Sequence, residues 1–278
     1  MQGFRIAGGS VPGTAHTKPG QPGWVNNQDA FVWHTEKGYL VAVVCDGCSS
    51  APHSEVGAKI GAQLFSRTLS RNISFTGTTS LVTDDLRVTQ KHVGDDIVSL
   101  AKRMSEGRIE KEYQQILADY FLFTIIGVVI TPDETTVFSL GDGVHAINER
   151  VEVIAPYENN APPYLVYAHM PAVTYPGSLD VHIRMTVPTK DVQSVLIGTD
   201  GVADFVAAAT SPLPGKTEVL GPLSQFWTDD KFVGNPDAIR RRLAIANREW
   251  VESGHIKKGL LPDDTTLVVI RRESQPEK

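Results

Sequence analysis

Several aspartates stand at the ends of apolar runs. Val41-Ala-Val-Val-Cys-Asp46-Gly47 and Val195-Leu-Ile-Gly-Thr-Asp200-Gly201 each carry an apolar stretch into Asp-Gly. Asp263-Asp264-Thr-Thr-Leu-Val-Val-Ile270 opens another such stretch with acid. A fourth acid, Asp142, sits in Gly141-Asp142-Gly143 after Val137-Phe-Ser-Leu140. Carboxylates brought together at the ends of buried strands repel one another unless a hard divalent cation lies between them. The neighbouring glycines let the backbone turn sharply and bring a carbonyl oxygen close to such an ion. One Asp-Gly after a strand is usually only a turn. The pattern acquires chemical meaning because it recurs, each time joined to an apolar strand, and closes on Asp-Asp-x-Thr.

The elements that must position these acids are legible in outline. Phe4 to Val11 reads as a strand, followed by a Gly/Pro-rich loop from Pro12 to Gly23. Asp29–His34 and Tyr39–Cys45 read as two strands with Gly38 at the turn between them. The second is almost continuously apolar, the signature of a strand covered on both faces. Ser54 is placed to cap a helix carrying Val56, Ile60, Leu64 and Phe65. Leu69 to Asp85 reads as a polar connection, and Leu86 to Ala118 as helical with a break near Gly107. Phe121–Ile130, Thr135–Leu140, Val144–Asn148, Val151–Ile154 and Ser194–Thr199 are short strands. Ala155–Pro176 and Thr210–Pro236 lack a period and read as insertions, the first a flap. Pro236 opens a helix with Ile239, Leu243, Ile245 and Trp250 on its apolar side, and Thr265–Arg271 is a last strand. No repeat and no linker divides the chain, so one domain over 1–272 with a polar tail, 273–278, is expected.

Composition narrows the function classes. The chain has 278 residues, 41% hydrophobic and 21% charged, which is ordinary for a globular protein with a sizeable core. Its net charge of −6 gives no basic footprint for nucleic acid. It also means that a phosphorylated substrate is repelled unless cations intervene. No apolar run is long enough to span a bilayer, and the first residues lack a leader's charge and apolar core, so a cytoplasmic protein is expected. Cys45 and Cys48 are the only cysteines and imply no disulfide framework.

In order along the chain come Asn27-Gln28-Asp29-Ala30-Phe31, Val44-Cys45-Asp46-Gly47, Ser54-Glu55-Val56-Gly57-Ala58, Leu140-Gly141-Asp142-Gly143, Gly198-Thr199-Asp200-Gly201-Val202-Ala203-Asp204 and Asp263-Asp264-Thr265-Thr266-Leu267. This series resembles the motifs of the metal-dependent protein phosphatases of type 2C. Thr14-Ala15-His16 and Gln28-Asp29-Ala30 are similar to its bacterial branch. The resemblance implies an α+β fold, a four-layer α-β-β-α sandwich of two stacked antiparallel sheets with the metals in a cleft between them. It implies hydrolysis of phosphoserine or phosphothreonine in a protein substrate, with a cognate Ser/Thr kinase as a further partner. Two Mg²⁺ or Mn²⁺ ions, about 3.5–4 Å apart, would activate a bridging water, and a third ion would bind more weakly.

The same resemblance distributes the residues. Asp46 is similar to the carboxylate that bridges the two metals, and Gly47 to the carbonyl ligand of the second. Asp200 and Asp263 resemble the other carboxylates of the first metal. Asp29 resembles an outer-shell acid, Asp142 a ligand of the third ion, and Asp204 a polar residue closing the site. Asp264 stands where many relatives have Asn. Three positions depart from the pattern. Trp24 replaces a phosphate-gripping Arg, Gln28 replaces a Glu that holds metal-bound water, and Cys48 replaces a His proposed as general acid. His16 or His53 could supply the proton instead. Arg5, Lys18 and Arg67 are candidates for the missing cation. A monomer is expected.

Other chemistries are weaker. Cys45-Asp46-Gly47-Cys48 has the spacing of a redox pair or half a zinc site, but no second pair exists and a buried strand-end Cys45 is the plainer reading. A cysteine-nucleophile phosphatase needs Arg six positions on, where Ala51 and Ser54 stand instead, and no P-loop is present. The reading from a different class is a pseudophosphatase that keeps the fold to bind a phosphoprotein, for which Trp24 and Gln28 speak. The retained acids speak against it.

Overall fold

A computed structural model of the chain describes residues 3–16, 27–105 and 110–273. The chain opens with β1 (Phe4–Val11), then the hairpin β2 (Ala30–Glu36) and β3 (Tyr39–Cys45). Three helices follow, α1 (Ser54–Thr76), α2 (Thr83–Met104) and α3 (Glu110–Tyr120). Next come β4 (Ile125–Ile130), β5 (Glu134–Leu140), β6 (Gly143–Ile147), β7 (Arg150–Ile154), β8 (His182–Pro188) and β9 (Ser194–Gly198). The last part holds α4 (Gly201–Ala207), α5 (Gln225–Thr228), α6 (Asp230–Gly234), α7 (Ala238–Ala246), the hairpin β10 (Trp250–Glu252) and β11 (His255–Lys257), and β12 (Thr265–Arg272).

Two five-stranded sheets carry the fold, in the orders β1-β12-β9-β6-β7 and β2-β3-β4-β5-β8. Every pairing within them is antiparallel. The continuous apolar strands behave as their composition requires. On β3, Leu40, Ala42 and Val44 enter the layer between the sheets, where they join Val195, Ile197, Val268 and Ile270. The alternate residues Val41, Val43 and Cys45 face the opposite way and pack with Phe65, Leu69, Val93, Ile97 and Leu117 of α1 to α3. β9 and β12 divide likewise: Leu196, Leu267 and Val269 pack outward with Val202, Phe226, Phe232, Ile239 and Leu243. Period-two side chains on strands buried on both faces thus build three apolar layers, and the four-layer α-β-β-α sandwich follows.

Helix α1 is anchored by small residues as much as by large ones. Ala58, Ala62, Phe65, Leu69 and Ile73 recur at helical spacing and are buried. Each of the larger ones contributes about 1.5–3 kcal/mol by leaving water. Gly57 lets the first turn approach the end of α3, where a Cβ would overlap the Tyr120 carbonyl. Gly77, left-handed at φ 64°, ends the helix and donates its N–H to Ile73 O.

Several sequence expectations are corrected. Ser54 is the first residue of α1, and His53 is the cap, without a side-chain cap bond. The Ser54 hydroxyl is drawn elsewhere, accepting from Gln28 Nε2 at 2.7 Å and donating to Cys48 O at 2.9 Å. Leu69 to Thr76 continues α1, so the polar connection shrinks to Gly77–Val82. The segment from Thr210 to Pro236 is no surface insertion, since α5 and α6 bury Phe226, Trp227 and Phe232 in the outer core. Trp250 lies in β10, beyond the end of α7, and Ile245 faces solvent. β8 was not expected. Its apolar residues Ile183, Met185 and Val187 alternate with His, Arg and Thr, and it pairs with β5 across a bulge at Val137/Phe138. The Gly107 break lies outside the described residues, as do Lys18, Trp24 and the tail after Glu273. Among the described residues no helix is long and apolar enough to cross a membrane.

Candidate active-site cleft

The ends of strands from both sheets deliver the acids to one place. β3 runs into Asp46-Gly47, β5 into Gly141-Asp142, β9 through Thr199 into Asp200, and Asp263 stands just before β12. Gly141 takes φ 104°, a left-handed value that a side chain would strain, and this tight turn presents Asp142. Asp46, Gly47, Asp142, Asp200, Asp263 and His16 line one cleft of about 270 Å³. Its remaining lining comes from Cys48, Ser49 and Ser50 after β3, and from Asn159, Asn160, Pro162 and Tyr164 of the flap segment. That segment is no mere surface insertion, since its Leu165 and Val166 are buried in the core with α1 to α3. No Arg or Lys lines it among the described residues.

The acids sense one another. Burial, and then the charges of Asp200, Asp29, Asp263 and Asp142, push the Asp46 carboxyl well above the carboxylate range. Asp200 is pushed up to about 7 by burial, with Asp263 and Asp142 adding to it. Asp142 and Asp263 are raised as well, chiefly by burial. Asp29 does not line the cleft but lies buried beneath it. One of its oxygens accepts from Thr199 Oγ1 at 2.8 Å, and the other, Oδ1, is buried without a partner. Burial, followed by the Asp264 charge, raises its carboxyl far above the usual range. Asp204 is half-buried at the first turn of α4, raised by burial and then by Asp263.

Asp264 has a separate task. Its Oδ1 accepts from Gly13 N at 2.6 Å and its Oδ2 from Gln28 N at 2.7 Å. It therefore ties the chain after β1 and the chain before β2 to the start of β12. The Gln28 amide nitrogen is turned into the protein, donating to Ser54 Oγ at 2.7 Å and sharing its other hydrogen between Cys48 O and Ala51 O, both 3.3 Å away. His16 lies against both acids, with Nε2 3.5 Å from Asp263 Oδ1 and Nδ1 3.3 Å from Asp264 Oδ1. The Nδ1 contact is off-line for a hydrogen bond. The Asp264 carboxylate raises the His16 pKa against the opposing effect of burial.

The other sequence candidates lie elsewhere. His53 packs on the Tyr120 ring, 4.6 Å between centroids, and does not line the cleft. Arg5 pairs with Glu273 at 3.0 Å, and Arg67 lines a separate cavity. Both cysteines are free: Cys45 is buried in the α-helical core and Cys48 is half-buried, its sulfur 3.1 Å from Ser50 Oγ. Burial, and then the charges of Asp29 and Asp46, raise the Cys45 thiol, which disfavours the reactive thiolate. Sequence reasoning missed Asn159 and Asn160. Both adopt left-handed backbone (φ 56° and 52°), which Asn tolerates better than most residues, and the Asn-Asn pair in a Pro-rich segment was the available signal.

Two stacked antiparallel sheets, helices on both outer faces and a cleft of aspartates at the strand ends define the phosphatase-like class of fold that the motif series implied. The family model described as Protein phosphatase 2C matches residues 12–231, and the chain belongs to that family. Asp263 and Asp264 fall beyond the matched residues. No curated protein sequence matches the chain. Among solved structures it is similar to the photosystem II phosphatase PBCP (14% identity, TM-score 0.51, covering 98% of this chain and 100% of that one). It is similar to a bacterial serine phosphatase (13%, TM-score 0.50, covering 98% and 99%). It is also similar to a C. elegans sex determining protein (12%, TM-score 0.53, covering 98% and 65%). At these identities the structural likeness speaks for the fold.

Among the described residues no three His, Cys, Asp or Glu side chains stand as a ready-made ligand set for one metal ion. The donors nevertheless suit a hard divalent cation. They are oxygens, they raise one another's pKa, and a buried oxygen of Asp29 lacks a partner.

Proposed function

We propose that this chain is a metal-dependent serine/threonine protein phosphatase with a single catalytic domain over residues 1–272. The observation that carries the reading is the lining of the cleft. Acids from four strand ends meet there with no Arg or Lys among the described lining residues, in a family whose substrates are phosphorylated proteins. An anionic substrate is unwelcome in such a cleft until cations offset its charge. Asp46, the Gly47 carbonyl, Asp200 and Asp263 would hold two Mg²⁺ or Mn²⁺ ions, and Asp142 a third. Asp29, whose charge Asp46 feels, would act behind them as an outer-shell acid. Bound there, the ions supply Lewis acidity and positive charge, acidifying a water and neutralising phosphate.

The chain's own residues do the rest. The two carboxylates beside His16 favour its protonated form, so it is placed to give a proton to the departing serine or threonine oxygen. Asn159 and Asn160 offer amide donors to a cleft whose described lining residues include no Arg or Lys. The expected partners are a phosphoprotein substrate and the kinase that phosphorylates it. The test is turnover of a phosphothreonine peptide with Mn²⁺. Wild type should be active, EDTA should abolish the activity, and Asp46→Asn should lose nearly all of it while staying folded. Mn²⁺-dependent turnover retained by Asp46→Asn would remove the assignment.

One observation favours a second reading, a phosphoprotein-binding pseudophosphatase. The Gln28 amide nitrogen is committed to structural acceptors, and Gln28 takes no part in the cleft lining. Turnover of p-nitrophenyl phosphate with Mn²⁺ separates the two readings, since the binding module gives none.

A further inference from the structure

Buried side-chain polar atoms without a partner gather in two places among the described residues, with His145 apart from both. His16 Nδ1 and Asp29 Oδ1 belong to the acidic cleft and its floor. His34 Nε2 and Ser70 Oγ belong to a different cavity, of about 630 Å³, between the β2–β3 hairpin and α1. Unmet hydrogen-bonding capacity at a cavity wall is costly unless a ligand meets it. Ser70 itself is only 9% exposed.

The same cavity is lined by Arg67 and Arg71, one helical turn apart on α1. Neither forms an ion pair with a carboxylate among the described residues, although Arg5, Arg87, Arg150, Arg240, Arg241, Arg242 and Arg271 all do. Like charges at this spacing destabilise a helix. An anion between them reverses that effect, and guanidinium groups suit phosphate oxygens through paired N–H donors. Phe75, 91% exposed, stands on the same wall and offers an apolar contact that free phosphate cannot use. Glu36, also in the lining, disfavours extended polyanions. The cavity is distinct from the cleft. α1 begins beside the cleft at Ser54 and reaches Arg67 about thirteen residues later, about 20 Å away at 1.5 Å per residue.

We propose that this cavity docks a phosphoryl group on a protein side chain, a second phosphoserine or phosphothreonine of a multiply phosphorylated substrate. Arg67 and Arg71 hold the phosphate, His34 and Ser70 complete its hydrogen bonds, and Phe75 contacts the flanking peptide. The substrate role rests on the phosphatase reading above, but the binding itself does not.

The test uses the full chain in EDTA, so that the acidic cleft repels anions. A pentapeptide with one phosphoserine flanked by alanines is titrated by calorimetry, beside its unphosphorylated form and inorganic phosphate. The phosphopeptide should bind, and hydrogen exchange should slow at residues 34–39 and 67–75. Arg67→Ala with Arg71→Ala should weaken binding at least tenfold while leaving Mn²⁺-dependent p-nitrophenyl phosphate turnover unchanged. Asp46→Asn should leave the binding unchanged. The proposal is overturned if the peptide does not bind, if the arginine variant binds equally well, or if protection appears only at the cleft. It is also overturned if inorganic phosphate binds as tightly as the peptide, which would make this a free-phosphate site. If no phosphoester is hydrolysed while the arginine-dependent binding persists, the docking site stands and the catalytic reading fails.

Discussion

Two adjacent aspartates meet different surroundings. The Asp263 side chain is 42% exposed and lines the cleft, whereas the Asp264 side chain is 1% exposed and accepts two backbone N–H bonds from distant segments. Removing an acceptor strands buried donors, at about 1–3 kcal/mol for each. Asp264→Ala should therefore lower metal-free stability by about 2–6 kcal/mol, measured by urea denaturation, by freeing Gly13 and Gln28. Asp263→Asn should leave metal-free stability equal or higher, because it removes one repelling charge, and should weaken Mn²⁺ binding. Equal stability losses at the two positions would contradict this division. The sequence showed that both acids precede a strand, but which of them faces the cleft depends on contacts with residues some 250 positions away, which no local spacing encodes.

The elements were legible where hydrophobicity alone decides. β3 and β12 are buried strands whose apolar runs leave little choice, and their expected bounds match the structure to within a residue; those of β1, a partly exposed edge strand, match too. Errors arose where tertiary packing overrides local pattern. α1 extends through Arg71, Asn72 and Thr76 because Leu69 and Ile73 on its inner face reach the core, so the polar residues are only its outer face. β8 was hidden because half of it is polar and it sits at a sheet edge, where one side of the strand needs no apolar cover. The acidic cleft was legible because strand-end Asp-Gly recurs. The flap asparagines were not, since their relevance comes from a chain reversal without a period. The inner face of α1 is also where stability concentrates. Phe65 is fully buried and packs on Phe138 with ring centroids 5.7 Å apart. Phe65→Ala should cost about 3–5 kcal/mol in chemical denaturation. Phe75→Ala, on the exposed side of the last turn, should change stability by less than about 0.5 kcal/mol.

At the scale of the whole molecule, the cleft makes stability depend on pH and metal together. Asp29, Asp46, Asp142, Asp200 and Asp263 all have folded-state pKa values above the ordinary carboxylate range, chiefly through burial, and Asp200 reaches about 7. A carboxyl raised in this way binds its proton more readily in the folded state. Its contribution is present in full below the unfolded value of about 4 and is lost as pH rises through the folded value. His16, raised by its acidic neighbours, has the same sign over its own range. His145 has the opposite sign: it is 1% exposed, burial lowers its pKa, and its contribution is lost as pH falls below about 6.5. His34 shares the sign of His145, burial lowering it too, and half-buried Asp204 shares that of the other acids. Six raised acids outweigh two histidines, so metal-free protein should melt at higher temperature at pH 5 than at pH 7.5. Saturating Mn²⁺ should raise the melting temperature at pH 7.5 by mass action, since the ions bind the folded cleft and not the unfolded chain. Because protons compete for the same oxygens, that increment should shrink toward pH 5, and the metal-loaded profile should flatten or reverse. Thermal melts from pH 5 to 8 in EDTA and in millimolar Mn²⁺ measure both slopes. A metal-free melting temperature that climbs with pH across this range, or an increment from Mn²⁺ that does not depend on pH, would show that these acids do not share one electrostatic site.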